Sequence, residues 1–198
     1  MLTMILLGLL AGLTVLFLGA YNQLVRSRNR VREAWSGIDL QLRRRASLIP
    51  NLIDAVQAYA QHERATFAHV ANARGALEHA GGAGEAASAN NALTQALGRL
   101  FAVVESYPQL RASENFTRLQ TELSDVEEKI AFARQFYNRN VLDYNNRIDV
   151  VPTVIIARTL DFQSAEFFDA GEEGRKEVRG GFTFTAATPG APSAPPAA

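Results

Sequence analysis

Residues 21–63 read YNQLVRSRNRVREAWSGIDLQLRRRASLIPNLIDAVQAYAQHE, and their spacing decides the fold. Leu24, Arg28, Val31, Trp35, Ile38, Leu42, Ala46, Ile49, Ile53, Val56 and Ala60 step by three and four residues, the pattern of a helix with one apolar seam. Arg28 is the charged member of that seam. Phe67, Val70 and Leu77 carry the stepping on toward His79. Pro50 interrupts it. A proline inside a helix removes one backbone hydrogen bond and crowds the turn before it, so either a kink or a chain reversal is expected. The seam stays in phase from Ile49 to Ile53, and Ser47-Leu48-Ile49 has no turn chemistry, which favours the kink.

On the N-terminal side the seam runs straight out of MLTMILLGLLAGLTVLFLGA, residues 1–20. No charged side chain precedes Arg26, and eleven of the seventeen residues from Leu2 to Leu18 are Leu, Ile, Val or Phe. Twenty such residues span about 30 Å as a helix, the thickness of a bilayer's hydrocarbon core. Their gross insertion energy is about −3 to −7 kcal/mol. A cleaved signal peptide would need a basic start and a small-x-small cleavage site; neither is present, so residues 1–20 are expected to remain as a transmembrane anchor. From Arg26 to Arg45, seven arginines against Glu33 and Asp39 leave a net +5. Cationic flanks stay on the cytoplasmic side, which predicts a single-pass protein of the bacterial inner membrane, with its N-terminus outside and its domain inside. Arg26, Arg28, Arg30 and Arg32 fall at headgroup level, where they set topology and meet anionic lipid. Gly8 and Gly12 form a G-x-x-x-G with Gly19 near the same face, a surface through which two spans could pack into a homo-oligomer.

Toward the C-terminus, Gly81-Gly82-Ala83-Gly84 reads as a hairpin tip. A helix is expected from about 87 to 107, with Leu93, Leu97, Leu100 and Val104 on one face, ended by Pro108. Ser113 is placed to cap the next helix. The seam of that helix is Phe116, Leu119, Leu123, Val126, Ile130, Ala133, Tyr137, Val141, Tyr144 and Ile148. Pro152 suits the first turn of a last short helix over 153–161. Residues 21–79 and 87–148 would be arms of about 88 and 93 Å if wholly helical. Folded about the glycine tip they make an elongated antiparallel bundle; a reversal at Pro50 would instead make a compact four-helix, up-and-down bundle. The fold class is therefore all-α, a bundle (21–162) carried on a transmembrane helix (1–20). An acidic and aromatic segment (163–185) follows, with a β-like Phe182-Thr183-Phe184 and then a disordered Pro/Ala tail (186–198).

Nothing in the chain spells out catalysis. His62 and His69 lie two turns apart, without the i, i+4 partner of a zinc pair, and no Glu-x-x-His pair exists. Glu122, Asp125, Glu127 and Glu128 read as a solvated helix face with an Asp125–Lys129 pair. No nucleophile elbow or phosphate loop appears, so no cofactor, metal or enzymatic activity is expected. The Asn115-Phe116-Thr117 sequon falls on the predicted cytoplasmic side. A net charge of zero argues against nucleic acid as a partner, and the lack of cysteine removes disulfides and thiolate metal sites. Trp35, Asp39, Asn51, Asn138, Asn140 and Asn145 are the polar or bulky residues on or beside the seams, expected to set packing and register.

Residues 21–63, quoted above, resemble the signature block of the LemA family. The stretch SYPQLRASENFTRLQTELSDVEEKIAFARQFYNRNVLDYNNRIDVVPTVIIARTLDF, residues 106–162, is similar to that family's second block, including its Tyr-Pro, Glu-Asn-Phe and Arg-x-Phe-Tyr-Asn elements. The resemblance covers nearly all of residues 1–170. It implies a bacterial protein with one N-terminal span, a short exterior N-terminus and an interior helical bundle. It supplies no catalytic residue set. Relatives associated with magnetosome membranes, or encoded near membrane proteases, point to a scaffold or assembly role. The runner-up is an adaptor or regulator of a membrane protease or envelope-stress system, recruiting a membrane-protein partner through the bundle or the acidic Phe167-Phe168 segment, and an enzyme of unknown type is a distant third.

Overall fold

The computed structural model describes residues 1–169; the expected β-like Phe182–Phe184 and the Pro/Ala tail lie outside them. Six helices follow in order: α1 (Leu2–Gln57), α2 (Arg64–Glu78), α3 (Ala83–Val104), α4 (Pro108–Arg111), α5 (Glu114–Asp149) and α6 (Thr153–Thr159). There is no strand among the described residues, so the chain is an all-α bundle. The fifty-six residues of α1 would extend about 84 Å. Its first turns stand bare, exposed from Met1 to Gly19, and are long and apolar enough to cross a membrane. Burial begins at Ala20.

Helix α1 passes through Pro50 without ending, so Pro50 is not a reversal. The single arm reaching His79 is not formed either: the chain turns back at 58–63, a stretch without glycine or proline, and α2 returns along α1. One hydrogen bond explains how the proline is accommodated. Pro50 cannot donate to the carbonyl of Ala46 four residues earlier, and the Arg74 Nε of α2 donates to that carbonyl instead, at 3.1 Å. The same guanidinium reaches Glu78 Oε1 at 2.8 Å. Pro50 is thus the point at which α2 is fastened to α1.

The glycines at 81–84 do reverse the chain, between α2 and α3, but midway along the shaft rather than at its far end. The distal half is therefore a four-helix bundle of α1, α2, α3 and α5. Below it, α1 and α5 continue as an antiparallel pair, with the short α6 packed against both at the foot. Their register is regular: Arg45 meets Glu127 and Trp35 meets Tyr137, ten residues apart on each helix. Every predicted seam residue of α5 is buried or half-buried. On α1 the buried stripe is turned slightly from the predicted one. Ser27, Ala34, Arg45 and Leu52 are buried, whereas Arg28, Trp35 and Ile53 are half-buried beside them. In the lower shaft the small Ser27 and Ala34 on the contact line let the helix axes approach, and the bulkier Arg28 and Trp35 flank them.

Helix α3 begins at Ala83, four residues before its expected start. Ser113 does occupy the N-cap of α5, but its side chain makes no capping bond; its carbonyl accepts the Thr117 N–H at 3.0 Å. Helix α6 follows a cis Val151–Pro152 bond and stops at Thr159, two residues short of expectation. Its end is a Schellman turn, with Asp161 left-handed at φ 54° and the Phe162 N–H on the Ala157 carbonyl at 2.9 Å.

Candidate functional site

After that turn the chain does not leave the bundle. Residues 162–169 run extended along α5, held by two Tyr-Asn steps one heptad apart. Asn145 clamps the backbone of Ala165 from both sides, Nδ2 donating to its carbonyl and Oδ1 accepting its N–H, each at 2.9 Å. Asn138 does the same to Phe168, at 3.1 and 2.9 Å. Tyr144 donates to the Gln163 carbonyl at 2.9 Å and Tyr137 to that of Glu166 at 2.8 Å. Seven helical residues rise about 10.5 Å and three extended residues about 10 Å, so the two repeats stay matched. Burial raises the pKa of both phenols; at Tyr137 Glu166 adds to the rise, and at Tyr144 Arg28 and Arg32 oppose it.

Phe168 ends this strap in a pocket of rings, 3% exposed, with the Trp35 indole 6.2 Å away and tilted toward Tyr137 at 5.6 Å. Phe167-Phe168 is therefore not presented as a pair: only Phe167 faces outward. Phe162 sits between the Tyr21 ring, edge-on at 6.2 Å, and the Arg28 guanidinium, 4.9 Å from its centroid. Arg28 is accordingly turned into the shaft, while Arg26, Arg30 and Arg32 are exposed. Of the other polar residues on the seams, Asp39 pairs with Arg43 at 2.9 Å and Asn140 bonds its own helix at the Phe136 carbonyl. Asn51 is exposed near the distal end. Gly8, Gly12 and Gly19 have open space on the bare helix.

Three features carried a weaker sequence signal. Arg45, counted with the basic run, is buried in the four-helix section with its side chain only 5% exposed. It meets Asn90 and Thr94 of α3, the latter at 3.0 Å, and lies 2.8 Å from Glu127 of α5. Burial lowers its pKa and Glu127 works against that. The signal was positional: Arg45 lies three residues after Leu42 and four before Ile49, on the core face. Arg74 had no signal beyond the proline it serves. Phe132 and Phe136 lie one turn apart on α5, 74% and 54% exposed, and border a groove floored by Ala34 and Gly37 of α1. No cluster of three or more His, Asp or Glu able to hold a metal occurs among the described residues.

A profile of the LemA family matches residues 34–182. Magnetosome protein MamQ of Magnetospirillum gryphiswaldense is 28% identical over 194 residues, covering 85% of this chain and 71% of that protein. Magnetosome protein MamQ 2 of Paramagnetospirillum magneticum is 28% identical, over 75% of this chain and 64% of its own length. Protein LemA of Metamycoplasma hominis is 27% identical, over 82% and 74%.

Proposed function

The chain belongs to the LemA family, and from that premise we propose that it is a membrane-anchored, non-catalytic scaffold whose shaft docks helical partners, a second copy of itself first. Residues 2–20 hold it in the inner membrane, and the exposed Arg26, Arg30 and Arg32 keep the bundle on the cytoplasmic side. The observation that carries the reading is the Phe132–Phe136 groove. The groove sets two exposed phenylalanines one turn apart beside Ala34 and Gly37, and Glu33, Asp125, Glu128 and Lys129 rim it, the apolar centre and charged margin of a docking surface. The bare Gly8–Gly12–Gly19 face supplies a second contact between copies within the bilayer. The relatives named magnetosome proteins suit an assembly role at a membrane.

The test is the size and crosslinking pattern of the detergent-solubilised full chain. Phe132→Glu with Phe136→Glu should reduce the oligomer without loss of helicity, and adding Gly8→Leu with Gly12→Leu should reduce it further. An oligomer indifferent to all four changes defeats the scaffold reading. Loss of one unrelated membrane protein instead of self-contacts would make the chain an adaptor.

A further inference from the structure

The apolar span is not the only part of the chain at its own level. Helix α5 ends beside the foot of α1, and the corner that follows carries the chain up against the span: Pro152, Ile155 and Ile156 share a groove with Leu13, Leu16, Phe17 and Ala20. Leu13 lies about 10 Å beyond Ala20 along the helix. The side of this corner that faces away from the protein is aliphatic. Val151 is 78% and Ile155 64% exposed, with Val150 and Leu160 also largely bare.

We propose that α6 and the Val150–Pro152 corner are immersed in the same leaflet as residues 13–20, so that the bundle stands on the bilayer through two embedded elements and their outer face is covered by lipid acyl chains. This rests on the span being in a membrane. Whatever is packed on Leu13–Ala20 then shares its depth. Backbone polar groups at that depth must be satisfied internally. The Thr153 hydroxyl reaches the carbonyls of Arg147 and Val150, the Leu160 N–H that of Ile156, and the Phe162 N–H that of Ala157. Charged side chains bound this region, the exposed Asp149 and Asp161 flanking the corner at its two ends and arginines lying toward the headgroup level. Arg26, Arg30 and Arg147 line one groove with Gly19, Asn22 and Gln23 at the foot of the span. Arg158, exposed in the last turn of α6, has a stem long enough to reach the same level.

The chain has no cysteine, so single-cysteine variants can be labelled without background. The full chain in lipid nanodiscs would carry a polarity-sensitive fluorophore at Val151→Cys or Ile155→Cys. Leu40→Cys serves as a similarly exposed shaft position outside the Phe132–Phe136 groove and Leu10→Cys as a position within the span. The expected result is blue-shifted emission at 151 and 155, quenched several-fold more by spin-labelled lipid than by iodide, with the reverse preference at 40. Aqueous behaviour at 151 and 155 with lipid behaviour at 10 overturns this inference and leaves the anchor standing. Shielding from both quenchers at 151 and 155 overturns it too, because a second protein surface would then cover the face. Aqueous behaviour at 10 as well would remove the anchor itself.

Discussion

Replacing Arg74 tests how this helix tolerates its proline. The Ala46 carbonyl belongs to a buried residue and has lost its helical donor to Pro50, so its partner is the guanidinium of α2. A hydrogen bond from a charged group contributes about 1.5–3 kcal/mol, and the lower end applies here because the Arg74 side chain is 36% exposed. Its pairing with Glu78 adds about 0.3–0.5 kcal/mol, as exposed i, i+4 pairs do. Arg74→Met keeps the apolar stem and removes the donor, so it should cost about 2 kcal/mol. In a Pro50→Ala background the residue 50 N–H returns to Ala46, and the same Arg74→Met should cost about 0.5 kcal/mol. Denaturant unfolding of the four proteins, followed by far-ultraviolet circular dichroism in mild detergent, measures the difference. A coupling of about 1–1.5 kcal/mol is expected, well above the roughly 0.3–0.5 kcal/mol scatter of independent sites. Additive effects would refute the substitution of Arg74 for the missing N–H, and α2 would have to be held by packing alone.

Asn145→Ala, or Asn138→Ala, removes two hydrogen bonds to the strap and should destabilise its docking by about 2 kcal/mol. Trp35, the sole tryptophan, should then shift its emission to the red, and amide exchange at 163–168 should accelerate. Tyr137 and Tyr144 have folded pKa values above the ordinary 10.0. Their contribution is complete below pH 10 and is lost as pH rises through the folded values, so stability should fall in that alkaline window and fall less in the double Tyr→Phe variant. Arg45→Met removes a buried charge and leaves Glu127 half-exposed to water, but it also strands the buried Asn90 carboxamide oxygen, so it should cost about 1–3 kcal/mol. Glu127→Ala instead leaves the buried cation without its counter-charge but still bonded to Asn90 and Thr94, and should cost about 1–2 kcal/mol after allowance for solvent at Glu127. Urea unfolding of the two variants compares them directly.

The α5 seam was fully legible because a period near 3.6 over thirty-odd residues leaves one face for the core, and α5 has no breaker in it. The turn at 58–63 was not legible, since neither glycine nor proline marks it and Pro50 supplied a louder but misleading signal. A proline ends a helix only when nothing else satisfies the carbonyl it strands. Here a residue twenty-four positions later does so, and local sequence windows cannot contain that pairing. Asn138 and Asn145 stood out as polar residues beside a seam. Their geometry, a helix holding a non-helical strap by side-chain amides, depends on a segment whose own sequence has no periodicity. Arg45 was read by charge when its position mattered more.

The strap also shapes the mechanics of the lower shaft. Below the glycine turn α1 and α5 are the only long helices, with the short α6 at their foot, and a two-helix pair buries too little apolar surface to be rigid by itself. Residues 162–168 add a third layer along that stretch: Phe162 closes the membrane end against Tyr21 and Arg28, and Phe168 closes the upper end against Trp35. Glu166 reaches the first turn of α3 beside Gly82 and Gly84, where a carboxylate is favoured by the helix dipole. One short segment thus joins the foot, both shaft helices and the base of the four-helix section. If the strap is a brace, its release should loosen amides of α1 and α5 between residues 21 and 42 and between 130 and 149 while the distal bundle keeps its protection. Hydrogen exchange on Asn138→Ala resolves the two halves, and uniform loosening along the whole shaft would show that the strap is only a passenger.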